Sequence, residues 1–476
     1  MVKVKYSKAH SKFPKQRISM NFKCKILAII ISAYCGTSQS ADLLEVWNGV
    51  GEHDPDVATA LSAKLAGIEK RNQAISLWLP SVQIIGTSGK INSSSEILGA
   101  NFTAPAPLGT SNGVGFNTSI RDGSSNTWAL QARQAIFSQE RIAHTRQLNL
   151  GAEAANVEWK LTNNELMLRT VQRYFEIVFL NKKLDLLKNE YKAIKIESEK
   201  SQEKFNIGES PIIDKHEAYA KEQELTAQII SNVNDLQVAK YMLSEVSKIS
   251  AINLDLKYPK RDLVVFNPSN LDSWIQKAIF SNPLIKLMQT KLDIAHQDVI
   301  GNSISASTSL DLVAQASQQK MTGSGDFGSA SNNSLQQMVG IQLTIPLFSG
   351  GYTSSKHEEA IQLEDKTKFE LESTKLRVMQ NVQSSWLALS SGLSRISALS
   401  SSLIATNSKL EATKLAQEVG DRTTLDLINA TNAKTLAEMN LLQAKIDYLI
   451  NQLNLYALVG ELDTEKLIQI NAQLEM

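Results

Sequence analysis

Three short stretches of this 476-residue sequence hold residue types that can do chemistry. Gly323-Ser-Gly-Asp-Phe-Gly328 has the glycine spacing of a dinucleotide-binding turn and contains an Asp-Phe-Gly triplet of the kind that holds magnesium in kinases. A phosphate-binding turn needs a helix directly behind it, whereas the flanks here are rich in Ser and Asn, so the stretch reads as a hairpin loop. His357-Glu-Glu-Ala lacks the second His that a zinc-protease helix requires, and His53, His144, His216 and His296 are too scattered to suggest a metal cluster. The third stretch, Thr423-Thr-Leu-Asp426, is spaced as a capping box, with Thr423 as N-cap and Asp426 turned back onto the first amides of a helix. Neither a nucleophile elbow nor a P-loop occurs, so no catalytic residue, cofactor or metal site is expected.

The charge distribution points to export. The net charge of +1 rests on eight Lys and Arg residues within 1–40, a segment without Asp or Glu, and becomes −7 once that segment is removed. An apolar run from Ile26 to Cys35 follows, too short to span a bilayer and suited to a signal-peptide core, with Ser38 and Ser40 supplying small residues before Ala41. Residues 1–40 are therefore assigned as a signal peptide, and a start at Met20 gives it a more usual length. Tyr34 before Cys35 and Ser32 three residues before it do not fit a lipoprotein signal. Cys24 and Cys35 both leave with the signal, so the exported chain has no disulfide and no thiolate. A mature charge of −7 predicts an acidic interior that favours cations, should the protein enclose a pore. Without a basic stripe, nucleic acid is excluded as a partner.

The exported part repeats itself. Matching landmarks recur in one order at an offset of about 210 to 230 residues. Asp54-Pro55 answers Asn282-Pro283; Trp78 to Lys90 answers Ala306 to Ala316; Trp128 to Phe137 answers Val339 to Phe348. Val171-Gln172 answers Val382-Gln383, and Gly208 with Asp214 answers Gly420 with Asp426. The division that follows is a first repeat at 41–248, a linker or equatorial segment at 249–269, a second repeat at 270–462 and a short C-terminal tail at 463–476.

Each repeat must supply both helices and strands. Val339, Ile341, Leu343, Ile345 and Leu347 alternate with Gly340, Gln342 and Thr344, the period of a sheet with one apolar face, and Leu310, Leu312, Ala314 and Ala316 do the same. The Gly-, Ser- and Asn-rich stretches 91–126 and 318–334 are expected to be hairpin loops. Spacings of three and four residues in Leu168, Val171, Phe175, Val178, in Leu184, Leu187, Tyr191, Ile194, and in Met439, Leu442, Ile446, Leu449, Leu453, Tyr456 make coiled-coil seams. Helices over 139–206 and 352–418 would each be about 100 Å long at ~1.5 Å per residue, with half-length helices over 41–77, 214–248, 270–300 and 424–459 beside them. Four strands cannot close a barrel, since about eight are the minimum, so lipid-facing strands must be completed by other copies of the chain.

Val419-Gly-Asp-Arg-Thr-Thr-Leu-Asp-Leu-Ile-Asn-Ala430 and Tyr448-Leu-Ile-Asn-Gln-Leu-Asn-Leu455 closely resemble the TolC family of outer-membrane efflux proteins. Lys204-Phe-Asn-Ile-Gly208 with Asp214, and Val339 to Gly351, fit the same family at their expected places. The resemblance implies a mainly α protein with a β-barrel part: a homotrimer sharing one twelve-stranded outer-membrane barrel, continued by a long periplasmic α-helical barrel. It implies a passive exit duct for drugs or secreted proteins, embedded in outer-membrane lipid. An inner-membrane transporter of RND or ABC type and a periplasmic adaptor (membrane fusion protein) would be its partners.

The resemblance also implies a periplasmic constriction near the two turns at Gly208 and Gly420. Asp426 and Asn429 are the pore-constriction candidates, with Asn429 standing where the family pattern has a second Asp, which predicts weaker cation binding. Arg422 and Asp214 are the gate or latch candidates. Two link positions depart from the pattern, with Ile213 where Thr is typical and Gln417 where Tyr is typical. Arg422 has Ser210 as its repeat mate and gains nothing as a cap, which suggests a partner elsewhere. The rival is a periplasmic coiled-coil adaptor or scaffold without a pore, which the seams allow and the paired strands disfavour.

Overall fold

The structure, a computed structural model, describes residues 42–103, 110–250, 256–264, 266, 270–326 and 328–475. The signal peptide assigned to 1–40 and the start at Met20 lie outside the described residues.

In chain order, α1 (Leu43–His53), α2 (Pro55–Ile68) and α3 (Lys70–Ser76) lead into a hairpin of β1 (Ser81–Thr103) and β2 (Thr110–Ser138). The long helix α4 (Gln139–Asn206) follows without interruption, then α5 (Ile212–Ser247) and the two-residue strand β3 (Tyr258–Pro259). The second half repeats the order with α6 (Leu271–Ser281), α7 (Pro283–Gly301), β4 (Ser309–Gly325), β5 (Gly328–Thr344), the long α8 (Tyr352–Glu418) and α9 (Thr424–Leu458). Helix α10 (Thr464–Asn471) and β6 (Leu474–Glu475) close the chain.

Both long helices have the bounds expected for them, 139–206 and 352–418. Where single helices were expected over 41–77 and 270–300, the chain breaks instead at Asp54-Pro55 and Asn282-Pro283. In each case the Asp or Asn side chain caps the next helix, accepting from Asp56 N at 2.8 Å and from Leu284 N at 2.8 Å. The following proline sits at the first helical position, where its missing N–H is not needed. The two hairpin turns between helices are also alike. Gly208 (φ 79°) and Gly420 (φ 82°) take the left-handed conformation, with Glu209 N bonded to Lys204 O and Asp421 N to Ala416 O, both at 2.8 Å.

The strands run further than the side-chain pattern suggests. Residues 91–103 and 110–126 belong to β1 and β2, and 318–325 and 328–334 to β4 and β5, so the expected loops are mostly ladder. Ser, Asn and Gly carry no apolar alternation there, and the pairing is held by the backbone ladder with polar side-chain bonds across it, such as Gln318 Nε2 to Asn333 Oδ1. Gly323 to Asp326 and Gly328 do lie at the β4–β5 tip. At its other end β5 stops at Thr344 instead of running to Phe348, because Pro346 has no amide to give the ladder.

One sheet in the order β1-β2-β4-β5 results, all neighbours antiparallel. Its edges β1 and β5 have no further strand partner among the described residues. The main core lies in the middle of the helical part, where α1, α4, α5, α6, α8 and α9 bury Leu43, Tyr174, Phe175, Leu243, Trp274, Tyr448 and Leu453 together. The segment between the repeats is clasped there, since the hydroxyls of Tyr174 and Tyr448 accept from Lys257 N (3.0 Å) and Phe266 N (3.1 Å). The tail is docked as well: β6 pairs with β3, and Leu467, Ile470 and Leu474 are buried.

Candidate functional site: a two-faced sheet and a helical hairpin gate

Register assigns every strand residue to a face. Val82 and Ile84 of β1 pair with Ala132 and Leu130 of β2; Leu312 of β4 pairs with Ile341 of β5, and Ala314 with Val339. Following the pairs across all four strands places these residues, with Trp128, Leu335 and Leu343, on one face. They are exposed: Ile84 is 72% accessible, Val339 78% and Ile341 68%, values that no water-facing sheet would carry in such number. Gly86 makes room for the band's aromatic rim, because a Cβ at Gly86 would meet the Trp128 ring at 2.8 Å. From Leu335 to Leu343 the band spans roughly 27 Å at ~3.4 Å per residue, the height of an outer-membrane apolar belt.

The opposite face is polar. Gln83, Gln131, Gln315 and Gln336 lie on it with Thr87, Thr127 and Ser317, interrupted by Ile85 and Met338, and a groove along it is lined largely by these amides and hydroxyls. At the end nearest the helices, Arg133 of β2 reaches across to Asp311 of β4 at 2.5 Å, with the Asp311 side chain buried. No helix among the described residues is long and apolar enough to cross a membrane. No group of His, Cys, Asp or Glu that could hold a metal ion is present among them either.

The gate candidates sit at the far end of the helices, around the two glycine turns. Asp426 forms the capping box: its Oδ2 accepts from Thr423 N and Thr423 Oγ1, and Asp426 N bonds Thr423 Oγ1, all at 3.1 Å. The backbone and hydroxyl of Thr423, aided by Arg422, hold the Asp426 carboxyl below the usual carboxylate range. Arg422 Nη1 lies 4.0 Å from Asp426 Oδ2, so within the chain its carboxylate neighbour is in its own turn. Asp214 is engaged locally, accepting from Ser210 Oγ at 2.7 Å. Among the described residues no ion pair joins Asp214 to Arg422. Asn429, three residues beyond Asp426, is exposed, as are Ile213 and both turn glycines.

Two buried glutamates of α4 face the α8–α9 hairpin and were missed by sequence reasoning. Glu197 is buried where α4 meets the α8–α9 turn. Its carboxylate takes hydrogen bonds from Gln417 Nε2 and, at 3.3 Å, from Thr424 Oγ1, while Lys200 Nζ lies 3.8 Å away. Gln417 therefore has a partner although it replaces the usual Tyr. Glu190, seven residues earlier, is buried against Thr435 of α9. Their signal was spacing: 187, 190, 194, 197 and 201 form one stripe with Leu187 and Ile194, so acids at 190 and 197 had to be buried.

Comparison with known proteins agrees with this geometry. Residues 274–461 match the family model described as outer membrane efflux protein. The outer membrane protein TolC of Escherichia coli (strain K12) is 25% identical, aligned over 94% of this chain and 87% of that protein. The proteases secretion protein PrtF of Dickeya chrysanthemi is 23% identical over 95% of each. Among solved structures, the outer membrane protein VceC of Vibrio cholerae shares the fold with a TM-score of 0.67 at 13% identity, covering 88% of this chain and 96% of that one. In fold, in the two faces of its sheet and in sequence the chain is similar to the outer-membrane efflux proteins, TolC among them.

Proposed function

We propose that this chain is one subunit of a homotrimeric exit duct in the outer membrane, serving efflux or type I secretion. The carrying observation is the four-stranded sheet with an apolar outward face, a polar inward face and two unpaired edges. Open edges cannot face lipid, and three copies joined β5 to β1 supply twelve strands for one closed barrel. With the apolar band in the membrane, α4 and α8 reach about 100 Å into the periplasm at ~1.5 Å per residue. There the duct takes its cargo from an adaptor and an inner-membrane transporter of RND or ABC type. The duct is passive: its likeness to channel-forming efflux proteins supports a role without enzymatic activity, in which the transporter supplies the energy.

The hairpin turn at Gly420 with the start of α9 forms the periplasmic gate. Asp426 and Asn429 line its narrowest part, and Asp214 and Arg422 flank the two turns as latch groups between subunits. Glu197 ties the same turn to α4 through Gln417 and Thr424. The repeats at 41–248 and 270–462 then act as the two walls of each subunit, with the segment at 249–269 and the tail at 463–476 bracing their middle. The pore-less scaffold is disfavoured, because a periplasmic protein has no use for an exposed Ile and Val face.

Heat-modifiable migration of the purified mature protein in detergent gels, combined with its native mass, tests this reading. A trimer that unfolds only on boiling supports the shared barrel. A monomer migrating identically with and without heating contradicts it.

A further inference from the structure

Glu190 is a titratable group that the gate described above leaves unused. Its side chain lies in the interface where α9 seats on α4 and α5, beside an apolar cluster of Leu187, Ile194, Ala218, Leu225 and Ile428. The residue is 3% exposed. One carboxyl oxygen, Oε1, is buried without a hydrogen-bond partner, and the neighbouring side chain that acts on the carboxyl from α9 is the Thr435 hydroxyl.

Thr435 has one proton and two acceptors in reach, since its Oγ1 also lies 3.3 Å from Thr431 O in hydrogen-bond geometry. A neutral Glu190 satisfies both: its own O–H donates to Thr435 Oγ1, and Thr435 donates to Thr431. An ionised Glu190 takes the threonine proton for itself, strips Thr431 of that bond and buries a charge with one oxygen unpaired. The charged groups that reach it come from α5, where Lys221 favours ionisation and Glu224 opposes it. Those two are paired to each other at 3.1 Å. From α9 only the neutral Thr435 faces it, and on α4 the adjacent Tyr191 directs its hydroxyl to Glu222 at 3.4 Å.

Building on the exit-duct reading, we propose that Glu190 is a proton-sensitive contact between α4 and α9: neutral, it fastens the gate helix to the outer wall, and ionised, it releases that helix. Burial, the largest influence on this carboxyl, pushes it above the ordinary glutamate value. A group raised in the packed state stabilises packing at pH below its unpacked value and loses that contribution as pH rises through the packed value. Alkaline conditions should therefore loosen α9 and acid conditions seat it.

The test is amide hydrogen exchange across 424–440 in the full-length trimer, wild type beside Glu190→Gln, each pair at the same pH from about 5 to about 9. Gln keeps the shape and a donor for Thr435 but cannot ionise. The ratio of wild-type to variant exchange should be near unity in acid and climb with pH, by up to about tenfold for each unit separating packed and unpacked values. A ratio constant across the range overturns the proposal. Conductance is read in parallel: a pH-dependent ratio without channels refutes the exit duct while sparing the switch, and channels with a flat ratio do the reverse.

Discussion

Glu197 on α4 and Thr424 at the start of α9 meet through a 3.3 Å hydrogen bond, and Gln417 from the other side of the Gly420 turn donates to the same carboxylate. One buried acid of the first repeat thus grips both ends of the turn that the second repeat swings. Glu197→Ala leaves two donors without their acceptor and should weaken the seating of the turn by about 1 to 3 kcal/mol. In planar bilayers this appears as longer open dwell times than wild type. Unchanged dwell times would remove Glu197 from the gate.

Asp426 caps a helix and, in the proposed duct, also carries a ring charge; Asp426→Asn separates the two. The amide oxygen still accepts from Thr423, so α9 starts as before, whereas the pore loses its carboxylates. Block by a trivalent cation added from the periplasmic side should fall by an order of magnitude or so with conductance intact, in line with rings of carboxylates setting cation binding. The cap itself is pH-dependent. Because its carboxyl is held low, the cap is at full strength above the ordinary aspartate value and is lost as pH falls through the lowered one.

Arg422 and Asp426 make an exposed pair at 4.0 Å, a contact that solvent screens and that contributes little to folding. Arg422→Ser should therefore leave thermal stability unchanged and still lengthen open times, if Arg422 bonds a neighbouring subunit when the gate is shut. Wild-type gating in this variant would assign it to the surface.

The two faces of the sheet predict opposite outcomes for one substitution. Ile341→Lys puts a charge on the apolar band, costing about 2 to 4 kcal/mol near the membrane midplane, and should reduce heat-resistant trimer. Gln336→Lys, on the inward face, should assemble normally and shift ion preference toward anions. Arg133→Met leaves the Asp311 carboxylate without its cation; the half-exposed Arg133 side chain keeps the cost below that of a fully buried pair, and the temperature at which the barrel opens in gels should fall.

Much of this architecture was legible because its signals are periodic. The seams through Val171, Phe175, Leu187 and Ile194 mark the middle of α4, and the repeat order placed its counterpart α8. The upper halves of β1 and β5 could not, since Ser93 to Ser95 and Ser331 to Ser334 have no apolar alternation and are held by ladder bonds. The helix breaks at Asp54 and Asn282 were visible as repeated landmarks but not as breaks, because proline is also at home in a helix's first turn. At the gate, sequence supplied Asp426, Arg422, Asp214 and Gly420 through family likeness and the capping pattern. It passed over Glu190 and Glu197 because an acid in a helical stripe is ordinarily solvated, and their burial depends on α9 packing from more than two hundred residues away.

Conductance of the purified mature protein in a planar bilayer under a salt gradient addresses the exit duct most directly. The account predicts discrete channels with a cation-selective reversal potential, blocked from the periplasmic side by a trivalent cation in wild type but far less in Asp426→Asn. A folded, heat-resistant trimer that never conducts, or channels whose block ignores Asp426, would contradict it.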